Sequence, residues 1–262
     1  MWTYEHPGFN VHQLAALSDN YIYLIEAHNS NILAAVDPAK ASTVKEACSR
    51  IGKDLTHILN THHHWDHTGA NVELKSRYKC NIIGPSYDAA RIPGMDVQAS
   101  EGTPVQIDAL TVDVLFVPGH TRGHIAFVIV DALFCGDTLF AGGCGRLFEG
   151  TPEQMWQSLR KLAALPGDTK VYCAHEYTLP NLRFARSVDA DNAALEARIH
   201  RDTQARMEQK PTVPSDIAEE LATNPFLRPL SPDFCTGYAK AHGLENDPVR
   251  VFAHLRASKD KW

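Results

Sequence analysis

Short apolar runs separated by turn-forming residues dominate the first two thirds of the chain. The segments NVHQLAAL, NYIYLIEA and NILAAVDPA (10–17, 20–27 and 31–39) are rich in β-branched and aromatic residues, and SDN and HNS separate them. This pattern predicts strands that begin an antiparallel sheet. Further strands are predicted up to residue 175 from the runs LTHILNT, NIIGP, LTVDVLFVPG, HIAFVIV, ALFCGD and TKVYCAH.

Two helices are indicated within this strand-rich part. ASTVKEACSRIG (41–52) has one apolar face at helical spacing and ends before a glycine, with Val44, Ala47, Cys48, Ile51 and then Gly52. In TPEQ, Thr151 can cap a helix, Pro152 suits its first turn and Gln154 completes a capping box.

The pattern changes after His175. The remaining segments are helical in composition and prolines separate them: TLPNLRFARSV, DNAALEARIHRDTQARMEQ, PSDIAEELAT, PDFCTGYAKAHG and DPVRVFAHLRASKD. We therefore predict a β-rich domain at 1–175 and a helical domain at 176–262.

Composition limits the possible functions. The 262 residues are 44% hydrophobic and carry a formal charge of −6, which is typical of a globular protein and argues against nucleic-acid binding. Six cysteines lack any C-x-x-C pair, as expected for reduced thiols. The sequence shows neither a signal peptide nor an apolar run of the ~20 residues that span a membrane. We expect a soluble, cytoplasmic monomer that binds neither nucleic acid nor membranes.

Four of the apolar runs are followed directly by histidine or aspartate. These residues are His62, His64, Asp66 and His67 after the first run, and His120, Asp137 and His175 after the others. Because layered α/β folds place ligand sites in the loops beyond strand ends, these side chains are expected to meet. A single histidine or aspartate beside a strand is usually structural, but the joint pattern indicates a metal site.

The donor atoms of this set are all nitrogen or oxygen. Such a set is typical of catalytic Zn²⁺, Fe or Mn²⁺ with a position open for water, whereas structural zinc sites usually contain cysteine. Seven ligands are too many for one tetrahedral ion. The sequence therefore predicts two divalent ions per chain, with zinc favoured and iron or manganese as alternatives.

The spacing of these residues resembles a known superfamily. H-x-H-x-D-H at 62–67, GHTRGH at 119–124, GD at 136–137 and AH at 174–175 are similar to the metallo-β-lactamase superfamily. That resemblance implies an αββα sandwich of two mixed β-sheets, here followed by a C-terminal helical domain. Longer blocks resemble the glyoxalase II (hydroxyacylglutathione hydrolase) family: THHHWDH, GDTLFAGGCGRLFEGT, VYCAHEYTLPNLRFA, TVPSDIAEELATNPFLR and DPVRVFAHLRASKD.

The resemblance implies roles for individual residues. It assigns one ion to His62, His64 and His120. It assigns the other to Asp66, His67 and His175, with Asp137 bridging both and with Asp66 and Asp137 as catalytic carboxylates. For glutathione it implies contacts from Arg146, Tyr177, Arg256 and Lys259. Arg146 and Phe148 stand where the family pattern has lysine and tyrosine, so one hydroxyl contact is lost.

The implied activity is hydrolysis of the thioester S-D-lactoylglutathione to glutathione and D-lactate, the second step of methylglyoxal detoxification. A metal-bridging hydroxide would attack, and the thiolate can leave unprotonated. Three alternatives remain: a persulfide dioxygenase with one iron, a phosphodiesterase or nuclease, and a non-enzymatic zinc-binding module. The full set of seven ligands disfavours the one-iron dioxygenase, and the acidic net charge disfavours the phosphodiesterase or nuclease. A metal position left open for water disfavours the non-enzymatic zinc-binding module.

Several neighbouring residues are interpreted as structural. His63 and Trp65 lie between ligands and are expected to pack or face solvent, and His124 is expected to be a buried structural residue. Asp37 is interpreted as an acceptor that orients a metal-binding histidine, with a turn aspartate as the alternative. Cys144 has no base of its own, so a nucleophilic role is not expected.

Overall fold

In the computed structural model, which describes residues 1–262, the apolar runs at the start of the chain form a seven-stranded sheet. Its strands follow the chain in order: β1 Trp2–His6, β2 Phe9–Ala16, β3 Asn20–Ala27, β4 Leu33–Val36, β5 His57–Leu59, β6 Asn81–Pro85 and β7 Val97–Ala99. The pairs from β1 to β4 are antiparallel and those from β4 to β7 are parallel, so the sheet is mixed.

Helices make two of the three crossovers between the parallel strands. α1 (Ala41–Ile51) connects β4 to β5, and the short α2 (Trp65–Thr68) and α3 (Asn71–Tyr78) connect β5 to β6. The predicted apolar face of α1 is buried against one side of the sheet, together with Leu74 of α3. Gly52 ends α1 with φ of 79°, a left-handed conformation that glycine adopts without steric cost.

Four more strands form an antiparallel array: β8 Val105–Ile107, β9 Leu110–Phe116, β10 Ile125–Ile129 and β11 Ala132–Gly136. Tyr23 of β3 contacts Phe134 of β11, with ring centroids 5.8 Å apart. The side of the first sheet opposite α1 therefore packs on this second array.

Two compact units can be distinguished. The first comprises residues 1–116 and 123–136, and the second comprises residues 117–122 and 137–262. The predicted functional boundary at residue 175 stays a prediction.

None of the helices combines the length and apolar character that crossing a bilayer requires.

The second unit is mainly helical. It contains the small strands β12 Leu139–Phe140 and β13 Gly143–Cys144 and the antiparallel pair β14 Lys170–Cys173 and β15 Ser215–Asp216. Its helices are α4 Pro152–Ala163, α5 Thr178–Val188, α6 Ala193–Met207, α7 Ile217–Thr223, α8 Pro232–His242 and α9 Pro248–Lys261. Aromatic rings of α4, α5 and α9 pack in its core, where Phe226 contacts Phe184 and Phe252.

The capping box at the start of α4 gives a testable contribution to stability. The Thr151 side chain accepts a hydrogen bond from the Gln154 backbone N–H at 3.2 Å. We expect Thr151→Ala to lower the free energy of unfolding by ~1 kcal/mol because that N–H loses its partner. Urea denaturation would measure the loss. Ser49→Ala, within α1 and exposed, is the control and should cost little; equal losses would contradict a capping effect.

Candidate metal centre

In the first unit, the chain after β5 brings four predicted ligands together. His62 and His67 are fully buried, and their ring centroids lie 4.0 Å apart. His62 Nε2 lies 3.0 Å from His64 Nδ1. Asp66 is half-buried, and its Oδ2 lies 3.5 Å from His67 Nε2. Burying this many imidazoles side by side is costly unless they share a partner, so the cluster fits a cation.

Asp37 makes the contact predicted for it. Its carboxylate accepts hydrogen bonds from the Thr61 backbone N–H at 2.8 Å and from the Thr61 hydroxyl at 2.6 Å. The remaining partner is His67 Nδ1, at 3.0 Å from Asp37 Oδ2. With Nδ1 as the donor, the neutral His67 ring directs the lone pair of Nε2 towards Asp66, which is the tautomer that metal binding needs.

His63, Trp65 and His124, which were predicted to be structural, pack against other side chains or face solvent. His63 turns away to Asp88, with 3.2 Å between its Nδ1 and Oδ2, and Trp65 is 71% exposed. His124 is fully buried and stacks on His62 with ring centroids 4.6 Å apart. His63 and His124 thus have partners of their own, and Trp65 faces solvent, in line with the structural roles predicted for them.

In the second unit, Asp137 lies between two histidines. Its Oδ2 is 3.3 Å from His120 Nε2, and its Oδ1 is 3.4 Å from His175 Nε2. All three side chains are buried. Each carboxylate oxygen thus faces a different imidazole, as a carboxylate that bridges two ions would do.

The tautomer of His120 is fixed in the same way as that of His67. Its Nδ1 lies 2.9 Å from the backbone carbonyl of Arg146, which can only accept. The neutral ring therefore points the lone pair of Nε2 at the Asp137 carboxylate. Two acceptors at 3.3 Å repel unless the ring is protonated or a cation lies with them, so this arrangement suits a divalent metal.

A cavity of about 490 Å³ in the second unit adjoins His120 and Asp137. It contains all four residues predicted to bind the substrate. Its lining is His120, Asp137, Phe140, Cys144, Arg146, Phe148, Tyr177, Pro180, Asn181, Arg256 and Lys259. Asn181 was expected to be a structural or surface residue, and Pro180 was not predicted to line a cavity, because a single asparagine or proline in a helix carries no local signal of a binding role.

Cationic and aromatic groups share this cavity. The Tyr177 ring stacks on the His175 ring at 4.8 Å. Lys259 Nζ donates to the Pro180 carbonyl at 3.2 Å. Burial, together with the charges of Arg256 and Arg183, lowers the pKa of Lys259 to about 8. The ammonium therefore titrates just above neutral pH.

The chemical character of the cavity also depends on the Cys144 thiol and the Phe148 ring. Burial raises the pKa of the Cys144 thiol to about 11, although Arg256 acts in the opposite direction, so the thiol stays protonated near neutral pH. This agrees with the expectation that Cys144 is not a nucleophile. Phe148 is 63% exposed and directs its ring edge-on to His120, with centroids 5.2 Å apart. It gives the cavity an apolar wall where tyrosine would give a hydroxyl.

Comparison with known proteins gives consistent matches along the chain. Residues 19–175 match the family model described as metallo-beta-lactamase superfamily, and residues 176–262 match hydroxyacylglutathione hydrolase C-terminus. The chain is 52% identical over 251 residues to the hydroxyacylglutathione hydrolase of Methylococcus capsulatus, covering 95% of this chain and 96% of the relative. It is 50% identical over 256 residues to that of Rhodospirillum rubrum, covering 97% and 98% respectively.

Solved structures agree with the fold. The crystal structure of ETHE1 from Myxococcus xanthus is similar with a TM-score of 0.66 and 26% identity, covering 95% of this chain and 97% of that one. The predicted fold class, two mixed sheets with outer helices and a C-terminal helical region, is confirmed. By its sequence along almost its whole length and by its fold, the chain belongs to the hydroxyacylglutathione hydrolase family of the metallo-β-lactamase superfamily.

Proposed function

We propose that this protein hydrolyses S-D-lactoylglutathione to glutathione and D-lactate, the second step of methylglyoxal detoxification, as a cytoplasmic monomer. The main support is one cavity lined both by two proposed metal ligands, His120 and Asp137, and by the cations Arg256 and Lys259. The relatives named hydroxyacylglutathione hydrolase support the same reaction. All six cysteines are free thiols, which suits a reducing compartment.

The proposed metal ligands are the seven that the sequence indicates. One ion would be held by His62, His64 and His120, the other by Asp66, His67 and His175, and Asp137 would contact both. The superfamily match at 19–175 includes all seven residues. Within each compact unit, buried donor atoms of these residues lie close to one another. When bound, two divalent ions, zinc or else iron or manganese, supply a water acidified enough to attack a thioester carbonyl.

The protein's own groups keep the donors in the correct state. Asp37 holds His67, and the Arg146 carbonyl holds His120, so that both Nε2 atoms remain unprotonated towards the carboxylates. We assign Asp66 and Asp137 as the catalytic carboxylates. A thiol of pKa ~8.5 leaves as its thiolate, so the reaction needs no side chain to protonate the leaving group.

Substrate binding is assigned to Arg146, Tyr177, Arg256 and Lys259. Glutathione is anionic because of its two carboxylates, and the cavity offers three cationic side chains. Arg256 and Lys259 lie one helical turn apart on α9, and we assign them to the glycine carboxylate. This end of the substrate is remote from the reacting thioester, so these contacts serve ground state and transition state alike.

The bridging role of Asp137 predicts that metal and activity are lost together. The purified protein should contain close to two metal ions per chain. Asp137→Ala should lose metal, and its kcat should fall at least ~100-fold below that of Tyr177→Phe, since of these two residues only Asp137 would contact both ions. Elemental analysis and thioester hydrolysis measure the two effects. Asp113→Ala, exposed on β9, is the control. One ion per chain with full wild-type activity would contradict a dinuclear site.

The lowered pKa of Lys259 predicts a pH dependence of substrate binding. The ammonium is present below its pKa of about 8 and is lost above it. KM for S-D-lactoylglutathione should therefore rise as the pH increases through about 8, while kcat changes little. Lys259→Arg should abolish this rise because arginine stays charged. Lys259→Ala should raise KM roughly 10-fold at pH 7, as for a lost charge-assisted hydrogen bond.

Steady-state kinetics between pH 7 and pH 9 would measure both effects, with the exposed Lys261→Ala on the same helix as the control. A small thioester without glutathione should show neither effect. An equal loss on both substrates would mean that Lys259 does not bind the glutathione part.

A further inference from the structure

A small hairpin begins two residues after Asp137. Its strands β12 and β13 pair only Leu139 with Cys144 and Phe140 with Gly143, and Ala141 and Gly142 form the turn. A two-stranded hairpin is at best marginally stable by itself, even when it is longer than this one. Its position must therefore be stabilised by contacts with other parts of the chain. We call it the 139–144 hairpin.

Side chains of the helical region bind the turn of this hairpin. The Glu220 carboxylate of α7 accepts a hydrogen bond from the Gly142 backbone N–H at 2.9 Å. The Asn181 amide of α5 donates to the Ala141 carbonyl at 3.2 Å. A Cβ on Gly143 would lie 2.4 Å from the Asn181 amide nitrogen, so the helix and the hairpin backbone are in direct contact.

The two hairpin strands are bound by residues from later in the chain. The Asn224 amide, just after α7, donates to the Gly143 carbonyl at 2.9 Å and to the Phe140 carbonyl at 3.2 Å. Arg256 of α9 donates through Nη1 to the Cys144 carbonyl at 2.9 Å. Polar side chains at four positions of the helical region thus bind the backbone of all but one of the hairpin residues.

These side chains are themselves fixed. Glu220 and Asn224 are fully buried and bonded to each other at 2.8 Å. Arg198, also buried, donates to the other Glu220 oxygen at 2.7 Å. The Arg256 guanidinium lies over the Phe226 ring at 4.9 Å. Because none of these groups can turn to water, the network holds one arrangement of the hairpin.

The far end of the hairpin rests on two of the proposed metal ligands. A Cβ on Gly145 would lie 1.9 Å from the Asp137 carbonyl oxygen and 3.1 Å from His120 Nδ1, so only glycine fits there. The next residue, Arg146, supplies the carbonyl that holds His120. Movement of the hairpin would therefore displace the Asp137 backbone and the orientation of His120 together.

We propose that the helical region positions Asp137 and His120 through the 139–144 hairpin, and so controls metal retention in addition to binding substrate. Asn181, Glu220, Asn224 and Arg256 are the positioning residues. This role rests on the proposed function, in which Asp137 and His120 are metal ligands. It gives Arg256, which binds the hairpin, a role that Lys259 does not share, because Lys259 bonds the Pro180 carbonyl instead.

The experiment compares Asn224→Ala and Asn181→Ala with Asn192→Ala in the full chain. Asn192 is the control in the same unit, because its amide caps α6, donates to the Ala222 carbonyl of α7 at 2.8 Å and bonds none of the hairpin residues. Asn181→Ala removes one hairpin bond and keeps the test usable if Asn224→Ala does not fold. Zinc-loaded protein is treated with a chelator, zinc release is followed, and Tm is measured with and without zinc.

We expect the two hairpin variants to release zinc ~10- to 100-fold faster than the wild type, the range found when residues that orient ligands are removed. The rise in Tm on adding zinc should shrink in these variants and stay unchanged in Asn192→Ala. Fully loaded Asn224→Ala should retain the wild-type KM, whereas Lys259→Ala should raise KM and keep its zinc.

Zinc release at the wild-type rate from both hairpin variants would overturn the positioning role and leave the proposed hydrolysis intact. Faster release from Asn192→Ala as well would also overturn it, because the effect would then reflect general destabilisation. Failure of the proposed function would be seen instead in the wild type, which would bind no zinc or hydrolyse no thioester; such a result would overturn both.

Discussion

The structure depends on one electrostatic constraint, the juxtaposition of imidazole lone pairs and carboxylate oxygens in buried surroundings. His67 and His120 each place Nδ1 on an oxygen acceptor, which leaves Nε2 directed at Asp66 and Asp137 respectively. Acceptor facing acceptor is unfavourable without positive charge. A divalent cation would remove this repulsion, because it is attracted both to the imidazole lone pair and to the carboxylate. Without a cation the arrangement is unfavourable, so the surrounding protein has to hold these groups in place.

The two units preserve that arrangement by different means. In the first unit a buried carboxylate, Asp37, fixes His67 together with the backbone of Thr61, so charge sets the orientation. In the second unit backbone geometry sets it, because the Arg146 carbonyl and the tight approach of Gly145 determine where His120 and Asp137 lie. The two proposed ligands therefore have different hydrogen-bond partners, a carboxylate for His67 and a backbone carbonyl for His120.

Sequence patterns were sufficient to predict α1 and to single out the seven proposed ligands, because the relevant residues are close in sequence or follow recognisable strands. The metal binding of those seven residues stays a prediction. α3 was not predicted, since NVELKSRY has little apolar periodicity and its position depends on burying Leu74. LTHILNT yields only the three-residue β5, because the rest of the run leads into the ligand loop. The binding of the hairpin was beyond prediction. Asn224 reaches carbonyls 81 and 84 residues earlier, and no local pattern encodes such partners.

The distance in sequence between the hairpin and its partners also affects how the protein is made. Arg256 is synthesised 112 residues after Cys144, to which it is bonded, and Glu220 is synthesised 78 residues after Gly142. All residues of the first unit are translated before any of the helical side chains that bind the hairpin, and the last of those side chains, Arg256, is translated only with α9. If the hairpin controls metal retention, durable loading follows translation of α9, and a nascent chain that stalls before it would expose histidines without retaining the ions they attract.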